Sequence, residues 1–252
     1  MGKDSNSAIT FSQMMENIPD YILSETGIEI IVCSFEDEES YGYCLETIHE
    51  LKEKDKVVLL IGILPFVFVG ERVVLNALRR VDKFRRIVDG CFLLNKETLS
   101  DSNGETDVTS LIEDEIYNIE QTLCYILKEG MLNISAETLR EGLKDCGTFM
   151  VTRGEGCGND RVEKAFKEAY TSPSFYKLDI TTARKLFIKI LVPTGQSLSI
   201  EEMNKLQYLF STLPHTKDII LGIGERDTEP RDDKLEVLML ATGPDTIHYM
   251  DI

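Results

Sequence analysis

The chain is predicted to be an α/β protein: a domain with a parallel sheet, one long central helix, and a C-terminal α+β domain. Three observations predict it. Three short runs that are apolar nearly throughout alternate with amphipathic segments before residue 95. A single apolar stripe at helical spacing follows. Beyond residue 131 strands and helices recur in a different, mixed order. The boundaries read from these changes are 1–106, 107–130 and 131–252.

The apolar runs are Ile28–Cys33, Val57–Ile63 and Ile87–Leu94, with helical segments at 10–24, 42–54 and 71–84. Strand–helix–strand alternation at this spacing requires crossover connections, and therefore parallel pairing. Residues 100–107 are a polar break that ends with helix-capping character. After it Val108, Ile112, Ile116, Ile119, Leu123 and Ile126 fall at steps of three or four, one helical face over roughly 34 Å. Next come a helix at 135–145, a strand at 146–152, a glycine-rich turn and a helix at 159–171 that stops before Pro173. Lys185–Val192 reads as a strand. Ser199 and Glu202 form a capping box for a helix at 200–211. Asp218–Ile223 and Leu235–Ala241 read as strands joined by the polar loop GERDTEPRDD, with Gly222-Ile223-Gly224 as a turn and the helices of this domain on one face of its sheet.

Composition limits the partners. The net charge of -17 repels phosphates, which argues against nucleic acid or an anionic membrane. The six cysteines are scattered, without a CxxC pair, and four lie within apolar runs. Buried free thiols in a reducing cytoplasm are the expectation. The N-terminus lacks a basic segment followed by an apolar one, and the run Val57–Val69 is too short to span a bilayer. His49, His215 and His248 are far apart with no cysteine at metal spacing, so no metal site is expected. Gly154-Glu155-Gly156-Cys157-Gly158 lacks a phosphate-binding lysine and carries Glu155 in its middle. It reads as a tight strand-to-helix turn. Cys157 beside a helix N-terminus has no identifiable base nearby.

The segment Gly130-Met131-Leu132-Asn133, the run GTFMVTRGEGCGNDRVEKAFKEAYTSPSF at 147–175, Pro193-Thr194-Gly195 and Ala241-Thr242-Gly243 together resemble FtsZ, the prokaryotic tubulin-like division protein. The resemblance covers about residues 15–243 and implies a partial, half-type tubulin/FtsZ GTPase domain. It also implies three departures. The family's opening strand and first phosphate-binding turn have no counterpart here. Where the family places a GGGTGTG-type loop, this chain has Glu36, Asp37, Glu38, Glu39, Ser40, Tyr41, Gly42 and Tyr43, so side chains replace bare backbone. Two like charges at 4 Å repel by about 4 kcal/mol at an effective dielectric near 20, so GTP is not expected as a cofactor unless a divalent cation bridges the carboxylates. Finally, the family's two catalytic aspartates match Ser135 and Thr138. Hydroxyls do not replace a carboxylate as a base, and Glu137 is turned about 100° away on a helix. The position of the family's base-contacting residue reads Ile112-Glu113.

These departures predict a protein without catalytic residues, a pseudo-GTPase that acts as an interaction or regulatory module in the cytoplasm. In the family the Asn133 loop and its following helix press on the next subunit. Asn133, Ser135, Glu137, Thr138, Arg140 and Lys144 are therefore contact candidates, toward a second copy or an FtsZ/tubulin-like filament end. Loss of a neighbouring strand leaves the strand carrying Ile28, Ile30 and Ile31 as an exposed edge open to pairing, unless residues 1–15 cover it. The rivals are a GTP-dependent polymerising GTPase and a nucleotide-independent self-assembling protein. No adaptor-binding tail is read after Ile247–Ile252.

Overall fold

The computed structural model describes residues 25–36, 38–103, 107–171, 180–213, 218–226 and 233–243. The expected helix at 10–24, a cover by residues 1–15, Asp37, His215, His248 and most of the loop after residue 226 lie outside them. Two compact units emerge. One comprises residues up to Tyr117 together with Leu143–Gly147, the other Asn118–Gly142 and Thr148 onward.

In the first unit β1 (Ile28–Ser34), β2 (Val57–Leu64) and β3 (Gly90–Asn95) pair in parallel, with Ile28 opposite Val57 and Leu59 opposite Gly90. The helices α1 (Glu38–Glu53) and α2 (Glu71–Phe84) form the crossovers, and α3 (Lys96–Asn103) follows β3. The third strand starts three residues later than its apolar run because Ile87 and Val88 still close the last turn of α2, their amides donating to Phe84 O. The polar composition of 96–103 concealed α3. Strand β2 is buried almost throughout. Its Gly62 admits the Phe35 ring, which a Cβ there would meet at 2.4 Å. Among the described strands β1 pairs with β2 alone. Ile28 and Ile31, expected beside an exposed edge, are buried, and Ile30 is half-buried. Strand side chains point to the sheet faces, so an open edge exposes the backbone row and not these isoleucines.

Asp89, fully buried at the mouth of β3, ties this unit together. Its Oδ2 accepts from Lys52 Nζ and from Val58 N, both at 2.7 Å, and its Oδ1 accepts from Asp145 N at 3.3 Å. Its own backbone bonds Val58 O and Gly147 N. One carboxylate thus satisfies donors from a helix, a strand and a later turn.

The helix α4 (Val108–Leu127) passes from the first unit to the second in sequence, so the spine expected at 107–130 is shared between them. Five of its six stripe residues, Ile112 to Ile126, are buried. The second unit then holds α5 (Ala136–Leu143) up to Gly142, β4 (Gly147–Gly156) from Thr148, α6 (Arg161–Thr171), β5 (Lys185–Pro193), α7 (Ile200–Ser211), β6 (Asp218–Arg226) and β7 (Leu235–Thr242). Strand β7 lies antiparallel between β4 and β5, and β6 runs parallel to β5 on its other side. The strands β6 and β7 are therefore separated by β5. Helices cover both faces of the sheet, where one was expected. Gly142 of α5 sits against the Phe187 ring, while Gly154 and Gly156 sit against α6 on the opposite face.

Gly154 and Gly156 belong to β4 and not to a turn. A Cβ on Gly156 would lie 1.9 Å from Arg161 O, and one on Gly154 would lie 2.1 Å from Ala165 O. Absent side chains let α6 approach the strand. The turn proper is Cys157–Asp160, with Gly158 at φ +76°. Ser199 and Glu202 form the expected capping box, and Glu202 Oε1 also accepts from Arg161 Nε at 2.7 Å.

Two outcomes follow. Asp89→Ala should cost about 3 kcal/mol in urea unfolding, because it strands the buried Val58 amide and unpairs Lys52. Asp89→Asn, which keeps an acceptor, should cost less. Gly156→Ala should cost about 2–3 kcal/mol, since backbone must move to admit the methyl group, whereas alanine at Gly42, which has open space around it, should be near neutral.

Candidate functional site

The turn after β1 is built from charges that satisfy one another. Helix α1 starts at Glu38 and holds Glu38 and Glu39 in its first turn, where negative charge is favoured by the aligned peptide dipoles. Arg80 of α2 donates to Phe35 O at 2.9 Å and pairs with Glu38. Its guanidinium also lies 5.1 Å from the centre of the Tyr41 ring. Lys96, at the start of α3, pairs with Glu36 at 2.8 Å. The acidic run expected to aim at a phosphate site is thus a helix N-terminus whose carboxylates Glu36 and Glu38 hold cations of their own chain. Ser40 is buried, and Gly42, within α1, has open space around an added Cβ. Among the described residues the turn holds no run of glycines.

The second candidate is the loop after α4 with helix α5. Gly130 N donates to Asn133 Oδ1 at 2.7 Å, closing a tight turn. Leu132 then joins β6 as a short antiparallel bridge: its amide donates to Ile223 O at 3.0 Å and its carbonyl accepts from Ile223 N at 2.8 Å. Only glycine fits at position 130, because a Cβ would lie 2.4 Å from Ile223 O. Gly222 and Gly224, expected as a turn, are interior to β6. They leave a trough in which Ile134 and the Lys189 side chain lie, at 2.9–3.2 Å from ideal Cβ positions.

Lys189 is fully buried in β5, the one charged residue in the buried run 186–193. Its Nζ donates to Lys128 O at 2.6 Å, at the end of α4. Burial, followed by the positive charge of Lys128, holds this amine below the usual lysine range.

The side chains expected as contacts divide by role. Ser135 Oγ accepts from Thr138 N at 3.0 Å and lies 2.8 Å from Thr138 Oγ1. The Ser135 hydroxyl therefore caps the first turn of α5, and the Thr138 hydroxyl is hydrogen-bonded to it. Asn133, Ser135 and Glu137 are exposed, while Thr138 and Arg140 are half-buried. Lys144 follows α5, is grouped with the first unit and lies 3.8 Å from Asp55. Sequence reasoning missed Met131 and Leu132, which are 69% and 43% exposed, because a methionine before a loop reads as core. Met131, Lys128, Leu198, Gly224 and Glu225 line a groove of about 510 Å³.

Five of the six cysteines are buried and free, and Cys157 is exposed. Among the described residues no three His, Cys, Asp or Glu side chains are arranged to hold a metal ion, and no helix is long and apolar enough to cross a membrane. A second cavity, of about 490 Å³ beside Arg161 and Lys205, is lined by Asp160, Glu201 and Glu202. The buried guanidinium of Arg161 is spent there on Glu202, Gln196 and Asp233 O.

No protein-family model matches the chain. A cell division protein FtsZ of Porphyromonas gingivalis is 31% identical over 195 residues, which is 75% of this chain and 42% of the relative. The mitochondrial division protein fszA of Dictyostelium discoideum is 24% identical over 201 residues, 77% of this chain and 38% of the relative. The chain therefore spans less than half the length of either. Among solved structures, an empty FtsZ dimer of M. jannaschii aligns with a TM-score of 0.69 at 20% identity, over 85% of this chain and 62% of its own. The protofilament of CetZ2 from Haloferax volcanii, bound to GTPγS, aligns with a TM-score of 0.67 at 15% identity, over 93% and 70%. By sequence over three-quarters of its length and by fold over more, the chain is an FtsZ/tubulin-like protein that carries part of that fold.

Proposed function

We propose that this chain is a cytoskeletal subunit that does not hydrolyse GTP by itself and works as an interaction module. The Gly130–Leu143 loop and helix engage a second copy or the end of an FtsZ/tubulin-like filament in the cytoplasm. The observation that carries the proposal is the state of the turn after β1: Glu36 and Glu38 occupy Lys96 and Arg80, and the sequence there holds no run of glycines. A triphosphate would have to displace these carboxylates while facing a chain of net charge -17. The loop after α4 supports the same reading. The Ser135 hydroxyl caps α5 and the Thr138 hydroxyl bonds to it, and neither hydroxyl serves as a general base in place of a carboxylate. Asn133, Glu137 and Met131 meanwhile remain exposed on a loop that is pinned from behind.

A second reading, nucleotide-dependent polymerisation, is favoured by one observation: a fold neighbour was solved as a nucleotide-bound protofilament. The two separate in one experiment. A bona fide FtsZ is sedimented with GTP in the presence and absence of this chain, and phosphate release is followed. The proposal expects the chain to change polymer mass in proportion to its concentration while adding no GTP turnover of its own. It expects Met131→Asp with Asn133→Asp to reduce that change at least several-fold, by placing charge in a contact surface. Unaltered polymer mass and turnover would count against an interaction role. Phosphate release by the chain alone would favour the second reading.

A further inference from the structure

The geometry points to Lys189 as the positioning residue of the partner-facing loop, a buried strut that fixes where residues 128–134 lie on β6. This inference rests on the interaction role proposed above, and adds the device that holds its surface in place.

Four features of the second unit carry it. Lys189 is enclosed on a strand, KLFIKILVP, whose residues from Leu186 to Pro193 are all buried. Taking an ammonium out of water costs several kcal/mol unless it is compensated, so core formation alone does not account for a lysine here. Among the described residues no carboxylate pairs with it, and its hydrogen bond goes to Lys128 O at 2.6 Å. That carbonyl stands at the end of α4, where the aligned peptide dipoles favour positive charge. Finally, the stem reaches this point through Gly222 and Gly224, where any side chain would strike Lys189 Cδ or Cε at 2.9–3.0 Å. The same glycine row receives Ile134, and the intervening Ile223 bonds Leu132. Strut, glycine trough and bridge together grip both ends of the loop that carries Asn133.

Stability and loop order should separate on substitution. Replacing a buried charge with an apolar side chain of similar length is commonly neutral or stabilising. Lys189→Met should therefore leave the midpoint of urea unfolding unchanged or higher. The amides of Leu132 and Ile223 should nonetheless exchange with deuterium about tenfold faster, because a charge-assisted hydrogen bond holding the loop is gone. Amides of β5 and β7 should keep their protection. Gly224→Ala, which retains the lysine but crowds its Cε and Nζ, should loosen the same two amides. Unchanged exchange at Leu132 and Ile223 in both variants would overturn the inference. So would a Lys189→Met chain that fails to fold, since the amine would then be a requirement of the core. If the loop loosens and sedimentation with FtsZ is unaffected, it is the interaction role that fails and not the strut.

Discussion

The arrangement of the loop that follows α4 depends on one row of missing side chains. Gly222 and Gly224 turn a stretch of β6 into bare backbone, and three groups use the space: the stem of Lys189, the side chain of Ile134 and the approach of Gly130 to Ile223. Larger residues would close the trough, push Lys189 off the end of α4 and break the two hydrogen bonds between Leu132 and Ile223. An exposed loop on a protein surface ordinarily samples many conformations, and ordering it on binding costs free energy. Here two hydrogen bonds to Ile223 hold Leu132, between Met131 and Asn133, so the proposed partner would have less backbone left to order.

The turn after β1 works by the opposite means. It is filled with charge, and the charge is answered locally by Arg80 and Lys96. Each pair is partly exposed and worth little by itself, and Glu38 in particular is open to water. Their effect on a ligand is larger than their effect on stability. An incoming polyanion would lose the attraction of both cations and meet the carboxylates that hold them. What is observed is that Glu36 and Glu38 answer Lys96 and Arg80 within the chain; that this closes a nucleotide site belongs to the function proposed above.

Much of this was legible in the residues, and the misreadings share a cause. The strands β1 and β2, the helix α4 and the capping box at Ser199 announce themselves through local periodicity or a four-residue signature, and they appear where expected. Glycine was misread wherever its reason was tertiary. Gly154, Gly156, Gly222 and Gly224 look like turns in sequence, yet they lie inside strands because a helix or a lysine needs the space. The run from Glu36 to Tyr43 read as an acidic loop, since its cations, Arg80 and Lys96, are tens of residues away. Lys189 carried a visible signal, a lysine between isoleucines in an apolar run, but nothing local says where its amine goes. Likewise Asp89 became a hub only through donors at positions 52, 58 and 145.

The central claim is that the turn between β1 and α1 is closed to triphosphate by Glu36 and Glu38. Calorimetric titration of the chain with GTP and magnesium tests it most directly. The account predicts no measurable heat of binding at micromolar protein, and a weak signal that emerges only when Glu36→Gln and Glu38→Gln release Lys96 and Arg80. Saturable one-to-one binding of GTP by the unaltered chain would contradict it.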